Sequence, residues 1–165
     1  MKTEPDFDQA ALRKAFACFP SGVTAICGLL DDVPTGMSAS SFTTVSLEPA
    51  LVSVCVAKTS TTWPKLRGLP QLGVSVLAEG HSDVATSLSA KVGDRFASVQ
   101  WVATESGSVF VRGSTLWLEC TVEKEVPAGD HHIVVMRIRT LEMYPDVAPM
   151  IFHGSNFRKL APGAK

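Results

Sequence analysis

An antiparallel β-barrel carrying two or three short helices is the fold this sequence predicts. Three observations predict it. About seven short apolar or alternating runs, rich in Val, Ile and Thr, recur along the chain with turn residues between them. They follow one another through turns and long hairpins, with no regular β–α–β alternation and no G-x-G-x-x-G, so a parallel Rossmann-type sheet is not expected. The chain has 165 residues, 45% of them hydrophobic and 19% charged, enough for one domain with a sizeable core.

Residues 1–7 read as an N-terminal tail. Asp8 to Phe19 sets Ala11, Leu12, Ala15, Phe16 and Phe19 on one helical face, with Asp8 as N-cap and Pro20-Ser21-Gly22 as the stop. That face is expected to pack on the domain. Val23 to Leu30 is a strand; Asp31, Asp32 and Pro34 turn it, and the chain returns through Thr35 to Ser40. Leu51 to Ala57 is almost entirely apolar and reads as a fully buried strand. Trp63 to Leu69 opens with Pro64 and reads as a short helix. Leu72 to Ala78 is a strand, and His81 to Leu88 a helix with Val84, Ala85 and Leu88 inward. Gln100 to Phe110 reads as a polar connection around Trp101. Thr115 to Lys124 and His132 to Tyr144 are long alternating strands, joined by a turn over Pro127 to Asp130. Met150 to Phe152 is a last short strand.

Charge and composition narrow the function classes. The formal net charge is −1 and no Lys/Arg run occurs, so neither nucleic acid nor an anionic membrane surface is an expected partner. Mean hydropathy is +0.19, apolar for a small monomer, and a second copy is expected to cover part of the surface. MKTEPDFDQA has no apolar core of the kind a secretory signal needs, and no run is long enough to span a membrane, which makes the cytoplasm the expected location. Cys18, Cys27, Cys55 and Cys120 form no C-x-x-C pair and sit among apolar residues. They read as buried free thiols, with no metal site.

Three stretches carry chemical potential. Gly36 to Leu47 places Ser38, Ser40, Ser41, Thr43, Thr44 and Ser46 around Phe42, Val45 and Leu47. Such a density of hydroxyls and backbone N–H groups suits a polar, planar or anionic ligand, or else a turn-rich strand whose hydroxyls bond locally. Lys58 to Thr62, KTSTT, combines hydroxyls and an ammonium at a helix start, which suits a phosphate or a plain helix cap. Arg95, in KVGDRF, can reach a phosphate with its planar fork or pair with Asp94 or another acid.

Eight pieces in order resemble the flavin reductase-like domain family: FPSGVTAI (19–26), GMSASSFTTVSLEP (36–49), VCVAKTSTTWPKL (54–66), VSVLAEG (74–80), GDRF (93–96), LECTV (118–122), AGDHHIVV (128–135) and APMIFHGSNFRKL (148–160). The resemblance spans residues 8–160 and leaves 161–165 as a C-terminal tail. It implies an FMN-binding fold that is mainly β, a split antiparallel β-barrel of Greek-key type with a few short helices. It implies an NAD(P)H:flavin oxidoreductase that reduces FMN or FAD with NADH or NADPH. Such proteins act as homodimers and supply reduced flavin to a separate oxygenase.

The same resemblance implies roles for residues. Met37, Ser38, Ala39, Ser40, Ser41, Val45 and Ser46 would lie nearest the flavin ring and ribityl chain. Ala57, Lys58, Thr59, Ser60, Thr61 and Thr62 would lie around its phosphate. Arg95 and Phe96 would stand near the phosphate and the outer face of the ring, and Phe157 at the rim of the nicotinamide pocket. His131 would orient the nicotinamide, or else be a strand-start histidine bonded to backbone, and His132 directly beside it competes for that position. Leu88 stands where many relatives carry Phe. The alternative function is a flavin-binding store or sensor without turnover, its pocket closed by Phe157 or Trp101. An oxidase of the pyridoxamine-phosphate type would need a second phosphate cluster, for which Arg137, Arg139 and Arg158 are the nearest cations and read as surface residues.

Overall fold

The computed structural model describes residues 1–4 and 7–163; residues 5–6 and 164–165, within the expected tails, lie outside the described residues. In chain order its elements are α1 (Gln9–Phe16), β1 (Ser21–Gly22), β2 (Thr24–Leu30), β3 (Val33–Ala39), β4 (Thr43–Leu47), β5 (Ala50–Ala57), α2 (Trp63–Leu66), β6 (Leu72–Val76), α3 (Ser82–Leu88), β7 (Trp101–Ala103), β8 (Val109–Val111), β9 (Leu116–Ala128), β10 (His131–Met143), β11 (Ile151–His153) and β12 (Asn156–Arg158).

Seven strands form one antiparallel sheet in the order β3-β2-β6-β9-β10-β5-β4. Its two edge strands, β3 and β4, are consecutive in the chain, so Ser40–Phe42 crosses from one edge to the other. Ser41 extends the β4–β5 pairing back into this crossing. Its hydroxyl accepts from the Cys55 N–H at 2.9 Å and donates to the Cys55 carbonyl at 3.1 Å. Thr43 pairs with Ser53 and Thr44 with Val52, so Ser41 falls in register with Cys55. A side chain there takes the place of a main-chain ladder partner just before β4 begins.

The β2–β3 hairpin turns on Asp31 and Asp32, at φ 50° and 63°, the left-handed pair that suits a two-residue turn. Pro34 lies not in this turn, as expected, but within β3 opposite Leu29. An edge strand tolerates a residue without an N–H.

Ile26, Val54, Val74, Leu118, Val134 and Met136 fill the interior, and Trp63 and Leu66 of α2 plug one end. Each such side chain contributes about 1.5–3 kcal/mol on burial. The Ser60 hydroxyl accepts the Trp63 N–H at 3.1 Å and starts α2. The helix stops at Leu66 rather than Leu69 because Gly68 and Pro70 cannot extend it.

Four expectations are overturned. The helix near the N-terminus forms, and Asp8 caps it through the Ala11 N–H at 2.6 Å. Yet none of its residues is buried, and Phe16 and Phe19 are 72% and 78% exposed. The Gly154 N–H donates to the Ala17 carbonyl at 2.9 Å and ties the helix to the C-terminal hairpin instead of laying it on the sheet. Second, Gln100 to Phe110 is not a polar connection. β7 and β8 form a hairpin there; Val109 and Val111 are buried in a second core with Leu77, Leu88 and Phe96, and Phe110, also buried, stacks on Trp117 on the opposite side. Third, the last strand is a hairpin, β11–β12, turned by Gly154 and Ser155, both at φ 60°. Fourth, Cys27 and Cys120 are buried, and burial pushes both thiols up to about 12, but Cys18 and Cys55 are exposed. No helix among the described residues is long and apolar enough to cross a membrane.

Glu119 departs from the alternation of β9. It points to the outer face, as expected, but only 9% of it is exposed because the β7–β8 turn lies over it. Thr104 Oγ1 donates to its carboxylate at 3.0 Å and Thr140 Oγ1 at 3.3 Å, and Ser106 Oγ donates as well. Burial alone would raise its pKa; the hydroxyl donors outweigh burial and hold it below the ordinary 4.5. A depressed folded-state pKa contributes stability above the unfolded carboxyl's pKa, and that stability is lost as pH falls through the folded value. Acid titration of the wild-type melting temperature should therefore show a fall below pH 4.5 that is smaller in Glu119→Gln. Equal acid sensitivity in the two proteins would show that Glu119 does not link pH to folding.

Candidate functional site

The hydroxyl-rich strand end, the C-terminal half of α3 and the β11–β12 hairpin enclose a cavity of about 510 Å³. Ser38, Ala39 and Ser40 form one wall, and Ala85, Thr86, Ser89 and Ala90 the other. Phe152 and Phe157 close one side, their ring centroids 5.6 Å apart and tilted by 51°. Alternation along β3 decides which side chains reach it. Met37 turns inward against the barrel core, so Ser38 turns outward. Ser38 Oγ donates to the Ala85 carbonyl at 3.0 Å and also meets Ser89 Oγ, which docks α3 on the edge of the sheet. The small residues of α3 leave a slot walled by carbon with hydroxyls on its margins.

Ala90 also lines an adjoining polar hollow of about 290 Å³, with Gly36, Thr61, Thr62, Lys65, Lys91 and Arg95 around it. Arg95 is its organiser. Nε donates to the Ala90 carbonyl at 2.7 Å, and Nη1 donates to the Gly36 carbonyl at 3.0 Å and to Thr62 Oγ1 at 2.9 Å. One guanidinium thus fixes β3, the start of α2 and the segment after α3. Neither N–H of Nη2 has a hydrogen-bond partner among the described residues. Arg95 does not pair with Asp94, whose carboxylate accepts the Phe96 N–H at 2.9 Å instead. Phe96 is 7% exposed and packs mainly into the second core, so little of its ring is free for a ligand.

A third cavity, of about 500 Å³, shares Ser40 and Phe152 with the first. Ser41 and His131 line it with Arg13, Phe16 and Phe19. His131 Nδ1 lies 2.7 Å from Asp130 Oδ1. The hydrogen bond to His131, then the charges of His131 and Lys58, hold the Asp130 carboxyl below its usual range. His132 shares its face with Val134 and Met136 and turns to the barrel interior, where its Nδ1 is buried without a partner.

The sequence-predicted residues therefore divide. Ser38, Ala39, Ser40 and Phe157 meet at the first cavity, Thr61, Thr62, Arg95 and Phe96 at the polar hollow, and Ser41 and His131 at the third cavity. Met37, Val45, Ser46, Ala57, Lys58, Thr59 and Ser60 line none of the three. Ser60 is spent on α2, and the Lys58 N–H donates to the Asp130 carbonyl at 2.9 Å, toward His131 rather than the hollow. Trp101 lies on β7 against the second core and closes nothing here. Sequence reasoning missed Ala85, Ala90 and Phe152, which carry no polar signal, and Lys65 and Lys91, which look like ordinary surface lysines.

The chain matches the family model described as flavin reductase like domain over residues 16–161. It is 38% identical over 162 residues to the NADH-dependent FAD reductase of Streptomyces globisporus, covering 95% of this chain and 88% of that one. It is 33% identical over 157 residues to the reductase subunit HsaB of a flavin-dependent monooxygenase of Mycobacterium tuberculosis, covering 94% and 84%. Among solved structures, the NADH:FAD oxidoreductase of Streptomyces globisporus, determined with NAD and FAD fragments, superposes with a TM-score of 0.92 at 37% identity over 100% of this chain and 99% of that one. The flavin reductase component of a bacterial two-component tryptophan halogenase superposes with a TM-score of 0.86 at 33% identity, covering 94% and 100%.

Proposed function

This chain belongs to the flavin reductase-like domain family, and from that premise we propose how its cavities carry out an NAD(P)H-dependent reduction of flavin. The observation that carries the assignment of roles is the junction at Ala90, where a carbon-walled slot meets a cationic hollow. A flavin needs both kinds of surface: one for its flat ring, one for its phosphate. The residues fit. Small side chains at Ala39, Ala85 and Ala90 leave room for a plane, hydroxyls of Ser38 and Ser40 stand at its margin, and Arg95 keeps two donors unspent beside Lys65 and Lys91.

Bound flavin, FMN or FAD, supplies the redox chemistry by taking a hydride from NADH or NADPH. The chain supplies position and electrostatics. Arg95 holds the hollow in shape and offers Nη2 to a phosphate oxygen. Ser40 stands where the first and third cavities meet, so its hydroxyl and N–H can stabilise charge developing on the ring. Phe152 and Phe157 limit water on one side. His131, held by Asp130, orients the incoming nicotinamide from the third cavity.

The working unit is a homodimer. Cys55, Ile133 and Val126 lie side by side on the outer face of the sheet, Ile133 at 37% and Val126 at 36% exposed, one row from His131 and Ala57. A second copy covering this row would abut the site. The reduced product passes to a separate flavin-dependent oxygenase.

Oxidation of NADH and NADPH by the purified protein, with FMN, FAD or no added flavin, tests the activity. Turnover that requires added flavin and rises with its concentration is the expected result. Tight flavin binding with no turnover in any combination would reduce the protein to a flavin-binding module.

A further inference from the structure

We propose that His81 is a positioning residue for flavin: its neutral imidazole seats α3, one wall of the first cavity, and its protonation unseats that helix. The proposal rests on the placement of flavin in that cavity. His81 immediately precedes α3 and is partly buried. Its ring joins two segments. Nδ1 accepts the Ala78 N–H at 3.1 Å, and the Nε2 edge lies along Arg112 and Gly113, just after β8. A nitrogen that accepts carries no hydrogen, so the neutral ring holds its hydrogen on Nε2, where the Arg112 backbone offers an acceptor.

One helical turn separates this ring from the flavin wall. The Ala85 N–H donates to the His81 carbonyl at 2.9 Å, and the Ala85 carbonyl accepts from Ser38 Oγ at 3.0 Å. Ala85, Thr86 and Ser89 line the slot, so a shift at His81 moves the wall itself. Protonation would place a hydrogen on Nδ1 facing the Ala78 N–H; two donors then oppose each other and the bond is lost. Burial holds the ring's pKa below the ordinary 6.5, and the hydrogen bond to the Arg112 backbone offsets only part of that. The charged residues on the adjoining segments are Glu79, Asp83, Arg112, Asp146 and Lys159. Glu79 lies 4.0 Å from Lys159, and Arg112 Nε donates to the Trp101 carbonyl at 3.3 Å. Burial, not a neighbouring charge, sets the direction. The seated helix therefore binds fewer protons than a displaced one, in which the ring returns toward 6.5. Flavin binding is at full strength above pH 6.5 and weakens as pH falls from there toward the seated ring's lower value.

The test is FAD affinity by fluorescence quenching from about pH 5 to about pH 8 for the wild type, His81→Asn and His81→Leu. FAD is the probe because the phosphate monoester of FMN itself titrates near pH ~6. Asn sets Oδ1 where Nδ1 stood and cannot titrate; Leu fills the space without an acceptor. Wild-type affinity is expected to fall severalfold below pH 6.5, within the limit of about tenfold per pH unit that one proton allows. His81→Asn should bind as the wild type does at about pH 7.5 and lose most of the fall. His81→Leu should bind roughly tenfold more weakly at that pH, as the wild type does only in acid. The other three histidines are common to all three proteins, so the difference between the profiles belongs to His81. The proposal is overturned if wild-type affinity does not vary with pH, if His81→Asn titrates as the wild type does, or if His81→Leu binds as tightly as the wild type. Should His81→Leu fail to fold, the wild-type and His81→Asn profiles decide alone. A wild type that binds no FAD at any pH brings down the placement of flavin, and the proposal with it.

Discussion

Replacing Arg95 with Ala should weaken flavin binding about a hundredfold and lower the melting temperature at the same time. The three bonds it makes, at 2.7, 3.0 and 2.9 Å, join Ala90, Gly36 and Thr62, which belong to three separate segments. Hydrogen bonds from a charged donor contribute about 1.5–3 kcal/mol each, and these three act as a unit, so their loss should not be additive. Their loss lowers stability, whereas the hundredfold affinity change corresponds to about 3 kcal/mol from the charge-assisted bonds that Nη2 would make to a flavin phosphate. Arg95→Lys should recover little, because one ammonium cannot span three fixed acceptors. Fluorescence quenching of FMN and FAD, paired with thermal melts, separates the possibilities. A lysine variant with wild-type affinity and melting point would show that only a point charge matters there. Loss of affinity with no change in melting would make Arg95 a ligand and not a clamp.

Gly73→Ala should cost more than about 3 kcal/mol, enough to leave little folded protein. A Cβ at this position of β6 would stand 2.1 Å from the Val109 carbonyl oxygen and 2.8 Å from its carbon. Both are backbone atoms of β8, so no rotamer change relieves the clash. The β7–β8 hairpin would have to lift from the sheet, exposing Val109 and Val111 and freeing the turn that covers Glu119. Gly68→Ala is the control, since nothing lies within 4 Å of its added carbon. Soluble yield and urea midpoints measure both, and a Gly73→Ala protein as stable as Gly68→Ala would mean that β8 does not press on β6 as closely as described.

The buried strands were legible in the sequence because each carries its own evidence. Leu51 to Ala57 is apolar except at Ser53, so its strand was plain. It is not buried on both faces as its run suggested: Val52, Val54 and Val56 point inward while Cys55 is exposed. The long pair β9–β10 alternates for most of its length. β8 was not legible, since Val109 to Val111 is three residues behind a polar turn, too short for a period to show. The periodicity of α1 was real, but periodicity says that a face is apolar and not what covers it; Phe16 and Phe19 face outward. The site divides the same way. Density of hydroxyls pointed to Ser38 and Ser40, and alternation along β3 sends Met37, equally suspected, to the core. KTSTT looked like one unit, yet its residues do separate work: Ser60 starts α2, Thr62 braces Arg95, and Lys58 leans toward Asp130. A run of similar residues does not reveal which neighbour each will find.

One edge of the large sheet, β3, has no strand beyond it. An open edge is ordinarily a template on which other chains can add themselves. Here Arg95 occupies the Gly36 carbonyl and α3 docks through Ser38, so the edge is guarded by the very groups that shape the first cavity and the polar hollow. Ligand that binds only the folded chain holds that guard in place by mass action. On the proposed flavin site, flavin would also be a keeper of solubility: storage without it is expected to favour slow self-association through β3, which light scattering of flavin-free and flavin-supplied protein checks.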